Sequence, residues 1–178
     1  MQYRRSNIGG GTYFFTVNLA ERSRCWLVEH IDVLRGSVRI VQERHPFHID
    51  AMVVLPDHVH AGWTLPPDDA DYPTRWMSIK AGFARRMPEG ERINASRRGK
   101  AERGIWQRRY WEPTLRDEDD FRRHIDYVHY NPVKHGLATR PADWRHSSIH
   151  RYIREGILPS DWGAAVASID AGECGEPR

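Results

Sequence analysis

The chain has 178 residues and a mass of 20.8 kDa, which is the size of one domain with enough chain to bury a core. Its hydrophobic content of 39%, with seven Trp, seven Tyr and five Phe, excludes a disordered polymer. The formal net charge of only +3 excludes a strongly cationic, histone-like protein.

Apolar periodicity predicts strands and helices that alternate along the chain. β-Branched and aromatic residues predict strands at 12–19, 47–55 and 58–65 and a further extended segment at 105–115. Helical spacing predicts helices at 26–43, 72–87, 117–130 and, in short form, 147–154. Between them, 88–104 is predicted to be a basic loop, and Asn131-Pro132 is expected to end or kink the helix that begins at 117.

This order of elements, β-α-β-β-α-β-α, predicts an α+β fold of the ferredoxin-like type. We expect an antiparallel sheet with the helices packed on one face. The predicted organisation is one domain over 1–155, which includes the loop at 88–104, followed by an acidic tail over 156–178. An inhibitory role for this tail, folded over the basic part of the domain, is one hypothesis.

Cysteine usage and hydropathy exclude two further classes of protein. Cys25 and Cys174 lie far apart without a CxxC motif, which excludes a disulfide scaffold and a cysteine zinc site. The sequence contains no run of about eighteen apolar residues, and its first residues are too polar for a signal peptide. We therefore expect a cytoplasmic protein without a membrane partner.

Charge is unevenly distributed, and the net value conceals this. Segment 72–110 contains eleven Lys/Arg against three Glu, a balance of +8, whereas 155–178 has a balance of −4. Within the basic segment, 106–111 (WQRRYW) interleaves cations with rings that could stack on unpaired bases. The alternative is an aromatic edge strand with solvated charges. The basic segment favours a polyanionic partner.

His58 and His60 form the first candidate for chemistry. Because side chains alternate along a strand, two histidines two residues apart point to the same face and can bind one metal ion. The alternative is a pair of half-exposed histidines on a polar sheet face. The apolar run before them favours a central strand, where a polar pair requires an explanation.

Tyr127 and Asn131 form the second candidate, because residues four apart share one face of a helix. The amide oxygen could complete a metal site while the phenol acts as a nucleophile. The alternative is a packing tyrosine followed by an ordinary helix stop, and spacing alone does not link this helix to the histidine strand. No base for the phenol is identified, since His129 and Lys134 are expected to face elsewhere on a regular helix.

Several motifs together resemble the REP-associated tyrosine transposases, a branch of the single-tyrosine HUH transposases. They are GGTYFFTVNL near the start, VVLPDHVHAGWTLP around the histidine pair, IWQRRYWEPTLRDEDDF, and DYVHYNPVKHG, with DWRHSS and PSDW towards the end. The resemblance covers roughly residues 3–165, and VVLPDHVH together with YNPVKHG is its most specific part.

The resemblance implies a role for each matching residue. His58 and His60 match the histidine pair that binds a divalent ion, Mg²⁺ or Mn²⁺, and Asn131 matches the third ligand. Tyr127 matches the nucleophile, which forms a 5′-phosphotyrosine and releases a 3′-OH. The candidates for DNA contacts are Tyr13, Lys80, Trp106, Arg108 and Arg109.

These features predict a metal-dependent enzyme that nicks single-stranded DNA and transfers strands at hairpins of repetitive extragenic palindromes. A non-catalytic hairpin-binding protein of the same fold is the first alternative, and a small metal-dependent hydrolase is the second. The resemblance favours a monomer, with a dimer that shares its active sites as the alternative.

Overall fold

The computed structural model of the protein describes residues 8–100 and 102–164. Its three strands are β1 (Thr12–Asn18), β2 (His48–Val54) and β3 (His58–Thr64). The described residues also form the helices α1 (Trp26–Glu29), α2 (Ile31–Arg44), α3 (Tyr72–Ala84), α4 (Ala95–Arg98), α5 (Glu118–Lys134) and α6 (Ile149–Arg154). Across these two ranges, no helix has the length and apolar character needed to cross a membrane.

The strands form an antiparallel sheet in the order β1-β3-β2, so that β3 lies in the centre. The segment at 105–115, predicted to be extended, follows the outer edge of β1 through isolated bridges such as Thr16 with Trp111. On the opposite edge, Ser147 bridges Val53 of β2. This arrangement confirms the predicted α+β, ferredoxin-like sheet, although the fourth extended segment does not form a regular strand.

Both faces of the sheet are covered, and the expectation of helices on one face is wrong. Alternate side chains of β1 enter different cores: Phe15 and Val17 pack with residues of α2 and α3, whereas Phe14 packs with residues of α5. The reason is visible in β1, whose five central residues, 13–17, are all buried. A strand buried on both sides requires a cover on both faces.

Helices α3 and α6 are shorter than predicted, since α3 ends at Ala84 and α6 begins at Ile149. Two other helices differ more. The helix predicted at 26–43 is divided into α1 and α2 at His30, whose φ and ψ of −115° and 37° lie outside the helical region. Helix α5 instead continues past Asn131 to Lys134, with Pro132 inside it. It ends before Gly136, whose φ of +67° is the left-handed conformation that glycine adopts most readily.

The extra turn of α5 determines which residues reach the sheet. Proline removes one backbone donor from a helix, but the buried ring of Pro132 packs in the interior, and the carbonyl of Pro132 accepts a hydrogen bond from Leu137 N–H at 2.8 Å. The helix face that carries Tyr127 and Asn131 therefore extends to Lys134.

The basic loop at 88–104 is partly ordered by its own arginines. It contains the short helix α4, and the Arg103 guanidinium donates to the backbone oxygens of Ala84, Met87 and Pro88 and pairs with Glu91. The charge of Arg103 therefore stabilises the loop itself.

The acidic tail lies mostly outside the described residues. Its first part, 156–164, is described, and the Trp162 ring lies 6.2 Å from the His129 ring. The residues 165–178 lie outside the described part of the chain. The domain boundary at 155 and the inhibitory role of the tail stay predictions.

Candidate active site

The histidine pair lies in the middle of the sheet, on the face covered by α5. His58 is 3% exposed and His60 is 1% exposed, and their ring centroids are 4.8 Å apart. These values exclude the alternative of two half-exposed histidines on a polar surface. Since β3 is the central strand, its backbone is fixed by hydrogen bonds on both sides, and the two rings are held rigidly together.

A carboxylate orients the His58 ring. Nδ1 of His58 lies 2.7 Å from Oδ1 of Asp57. Because an ionised carboxylate only accepts, Nδ1 carries a hydrogen, and in the neutral ring Nε2 is then the nitrogen with the free lone pair. Burial alone would raise the pKa of Asp57, but the hydrogen bonds and charges of His58 and Arg22 lower it to about 2. Arg22 also donates to Oδ1 of Asn18 at 2.7 Å. The network holds Asp57 ionised beside the ring.

A hydroxyl on the neighbouring strand orients the His60 ring. Thr16 of β1 lies directly opposite His60 in the antiparallel register, and its Oγ1 is 2.8 Å from Nδ1 of His60. Burial, together with the charge of His58, lowers the pKa of His60 well below its usual value. The imidazole is therefore neutral near pH 7, which is the form that binds a metal ion.

Helix α5 brings Tyr127 to this pair. The Tyr127 ring is 4% exposed and lies 5.3 Å from the His60 ring and 6.0 Å from Phe14. Packing of α5 against β2 and β3 thus brings Tyr127 next to the histidine pair of the same chain. Sequence spacing could not show this contact, because it depends on tertiary packing.

Asn131 is fully buried one turn after Tyr127. Its Nδ2 donates to the backbone oxygen of Tyr127 at 3.0 Å, while Oδ1 is buried without a hydrogen-bond partner within the described ranges. A buried amide oxygen that lacks a donor is costly. This free oxygen is the observation that favours Asn131 as a metal ligand, the role that the resemblance implies.

His135 is a third histidine at the site and was not among the predicted residues. One nitrogen of each of His58, His60 and His135 lies within 4.8 Å of the other two, and the His58 and His135 rings are 4.9 Å apart. Burial, with the charges of His58 and Lys134, lowers the pKa of His135. The sequence signal was its position four residues after Asn131, which the expected end of the helix concealed.

Lys134 also faces the site, and the expectation that it faces elsewhere is wrong. Its Nζ donates to the Tyr127 hydroxyl at 3.1 Å, because seven residues are about two helical turns and return to the same face. His129 does face elsewhere, as expected. Its Nε2 lies 2.9 Å from the Ser148 hydroxyl, and burial lowers the pKa of His129 to about 3.

The five predicted DNA-contact residues occupy different environments. Tyr13 is fully buried with its hydroxyl donating to the Ile8 carbonyl at 2.8 Å, and Trp106 is 6% exposed with its indole donating to the Lys80 carbonyl. Neither ring has a face open for base stacking. Arg108 is exposed and paired with Glu102, and Arg109 is exposed. The two arginines are therefore the accessible members of the set.

Lys80 holds the 105–110 segment to α3. Its Nζ donates to the Gln107 carbonyl at 2.6 Å and lies 5.3 Å from the centre of the Tyr110 ring. Burial, with a smaller contribution from the Arg97 charge, lowers the pKa of Lys80 to about 8. These contacts give the ammonium an internal structural role.

The lowered pKa of Lys80 predicts that the free energy of unfolding increases as the pH rises above 8. Between pH 8 and the unfolded value of 10.5, the unfolded chain binds more protons, so the free energy of unfolding rises with pH. From pH 8 to pH 9 this contribution is about 1 kcal/mol. Urea unfolding at both pH values should show this rise in the unsubstituted protein and its loss in Lys80→Met. An equal pH dependence in both proteins would show that Lys80 is not the group responsible.

Comparisons with known proteins identify relatives over nearly the whole chain. No protein-family model matches the chain. A REP-associated tyrosine transposase of Escherichia coli K12 is 41% identical over 172 residues, which cover 97% of this chain and 96% of that protein. A Haemophilus influenzae protein of the same family is 42% identical over 162 residues, covering 90% of this chain and 92% of the relative.

A solved structure extends the likeness to the fold. It is a REP-associated tyrosine transposase bound to a REP hairpin, with a TM-score of 0.81 and 40% identity over 97% of this chain and 96% of that chain. The relatives and this structure place the chain in the class of transposases, which are enzymes. The chain belongs to the family of REP-associated tyrosine transposases.

Proposed function

We propose that this enzyme cleaves single-stranded DNA next to a hairpin and transfers the strand, with Tyr127 as the nucleophile. The observation that carries the proposal is the 5.3 Å separation between the rings of Tyr127 and His60, beside His58. The relative bound to a REP hairpin supports hairpin DNA of repetitive extragenic palindromes as the substrate.

The proposed step is a direct substitution at phosphorus. The Tyr127 oxygen forms a bond to phosphorus, the bond from phosphorus to the 3′ oxygen breaks, and the electron pair leaves with that oxygen. The phenol loses one proton and the 3′ oxygen gains one, which leaves a 5′-phosphotyrosine and a free 3′-OH. Because the phosphodiester is exchanged rather than hydrolysed, attack by another 3′-OH rejoins the strands without ATP.

The residues present fit a divalent ion such as Mg²⁺ or Mn²⁺. The donor set is neutral His60, His58 with its Nε2 available, the unpartnered Oδ1 of Asn131, and His135. An ion held there would polarise the phosphate and offset negative charge in the transition state. Asp57 and Thr16 keep the two strand histidines in the orientation that binding requires.

The DNA surface that we propose includes Arg108 and Arg109, which are exposed beside the outer edge of β1. Tyr13, Lys80 and Trp106 support this edge from within, so their contribution to DNA binding would be indirect. Since one chain supplies the histidines and the tyrosine, we propose that the monomer is active.

A covalent-adduct assay tests the function directly. A hairpin oligonucleotide with single-stranded flanks, labelled at its 3′ end, is incubated with Mg²⁺ or Mn²⁺ and analysed on a denaturing gel. We expect a protein–DNA band that retains the 3′ label and that does not form when EDTA is present from the start of the incubation. Hairpin binding without this band would favour the non-catalytic alternative, and turnover of a small ester by a Tyr127→Phe variant would favour a hydrolase.

The ligand set gives a separate prediction. Asn131→Ala and His135→Ala should each raise the metal concentration for half-maximal adduct formation by roughly 10- to 100-fold, because each variant loses one donor. His48→Ala removes an exposed histidine of β2 and serves as the matched control. A variant whose metal dependence equals that of the control would exclude that residue from the ligand set.

A further inference from the structure

The ammonium of Lys134 is close to the atom that must react. Its Nζ is 3.1 Å from the Tyr127 hydroxyl oxygen and 4.6 Å from the centre of the Tyr127 ring. Because the ring centre is only 4.6 Å away, the ammonium approaches the oxygen from the side of the C–O bond and not along its extension. The outer side of the oxygen therefore stays open to a phosphorus atom.

This contact is built by the part of α5 that follows Pro132. A helix that ended at Asn131 would not carry Lys134 back to the face of Tyr127, two turns earlier. The hydroxyl of Tyr127 has no other hydrogen bond to the described side chains, and its ring lies against His60 and Phe14. Among the described side chains, the Lys134 ammonium is thus the hydrogen-bond partner of the phenolic oxygen.

We propose that Lys134 is a positioning residue for the proposed strand cleavage, acting through the Tyr127 hydroxyl. This inference rests on the proposed function. An ammonium has three donors and no acceptor, so Lys134 does not accept the phenolic proton. Its hydrogen bond holds the oxygen at the histidine cluster and stabilises the negative charge on that oxygen as the proton leaves.

The same contact operates in the reverse direction. When a 3′-OH attacks the phosphotyrosine, a bond forms between the 3′ oxygen and phosphorus, the bond between phosphorus and the Tyr127 oxygen breaks, and the electron pair returns to that oxygen. The 3′-OH loses one proton, and the phenolic oxygen gains one. Lys134 then stabilises the leaving phenolate. We therefore expect Lys134 to affect cleavage and rejoining alike, with little effect on the amount of adduct at equilibrium.

The first test compares substitutions at saturating protein, where binding no longer limits the rate. Lys134→Met should slow adduct formation roughly 100-fold, and Lys134→Arg should recover activity to within about tenfold of the unsubstituted protein. Arg122→Met is the matched control, because Arg122 is an exposed cation on the same helix that pairs with Glu118 and Asp119. Hairpin affinity is measured separately.

A chemical rescue distinguishes charge from packing. Alkylating the Lys134→Cys variant with bromoethylamine restores an ammonium at nearly the original position, whereas iodoacetamide adds a neutral amide. We expect the first reagent alone to restore the rate, by roughly tenfold or more. The unsubstituted protein receives both treatments, because Cys25 is exposed and also reacts.

The outcomes separate this inference from the proposed function. A normal adduct rate in Lys134→Met, or equal rescue by the two reagents, would overturn the role of Lys134 while leaving strand cleavage by Tyr127 intact. Absence of adduct from the unsubstituted protein would overturn both.

Discussion

Tyr127→Phe is expected to remove the covalent protein–DNA adduct, with a loss of at least about 1000-fold in the cleavage rate. The substitution deletes the oxygen that bonds to phosphorus and leaves the ring in place. The contacts of the ring with His60 and Phe14 do not involve the hydroxyl, so the variant should fold normally. The measurement is the rate of adduct formation under single-turnover conditions.

Hairpin affinity provides the internal control for this variant. DNA affinity is governed mainly by contacts between cations and phosphates, and none of these is changed. We therefore expect the dissociation constant of Tyr127→Phe for the hairpin to stay within about threefold of the unsubstituted value at equal salt. An adduct that persisted at a normal rate would show that another residue is the nucleophile.

His58→Ala and His60→Ala are expected to have the second largest effect. Metal assistance in phosphoryl chemistry supplies several kcal/mol of transition-state stabilisation, so each variant should lose about 1000-fold or more in cleavage rate. Hairpin binding should change little, because the buried rings are separate from the exposed Arg108 and Arg109 that we propose contact the DNA. Rates and metal dependence are measured together with hairpin affinity.

Stability must be checked in these two variants, since removal of a buried ring leaves a cavity. Thermal unfolding identifies any loss of folded protein, and assays are carried out well below the unfolding transition. His48→Ala, which changes an exposed histidine on the neighbouring strand, is the matched control. Cleavage that survived in both His58→Ala and His60→Ala would contradict the metal site.

Local pattern was sufficient for the three strands of the sheet and for the direction of the histidine pair, but not for the 105–115 segment, which forms only isolated bridges. The alternation of side chains in β3 placed His58 and His60 on one face. Three glycines followed by β-branched and aromatic residues predicted β1 correctly to within one residue at its end. The helix face of Tyr127 and Asn131 likewise followed from periodicity. Each of these properties depends on residues close together in the chain.

Other features depended on tertiary packing. Continuation of α5 through Pro132 could not be predicted from Asn131-Pro132, a pair that usually ends a helix. That continuation brought Lys134 to Tyr127 and His135 to the strand histidines. The interior positions of Tyr13 and Trp106 were also hidden, because an aromatic side chain can serve equally in a core or on a binding surface.

By itself, then, the sequence determined the types of its elements, the shared face of each candidate pair and the family that its motifs resemble. Its net charge of +3 was a poor indicator of a DNA partner, because the charges of a basic and an acidic segment cancel in it. The structure adds that several basic side chains, such as Arg103 and Lys80, stabilise their own segment. Only the tertiary structure brought α5 against β3 and assembled Tyr127 with the histidines. The physical reason is that periodicity acts over a few residues, whereas the distance between two elements is set by the packing of the whole core.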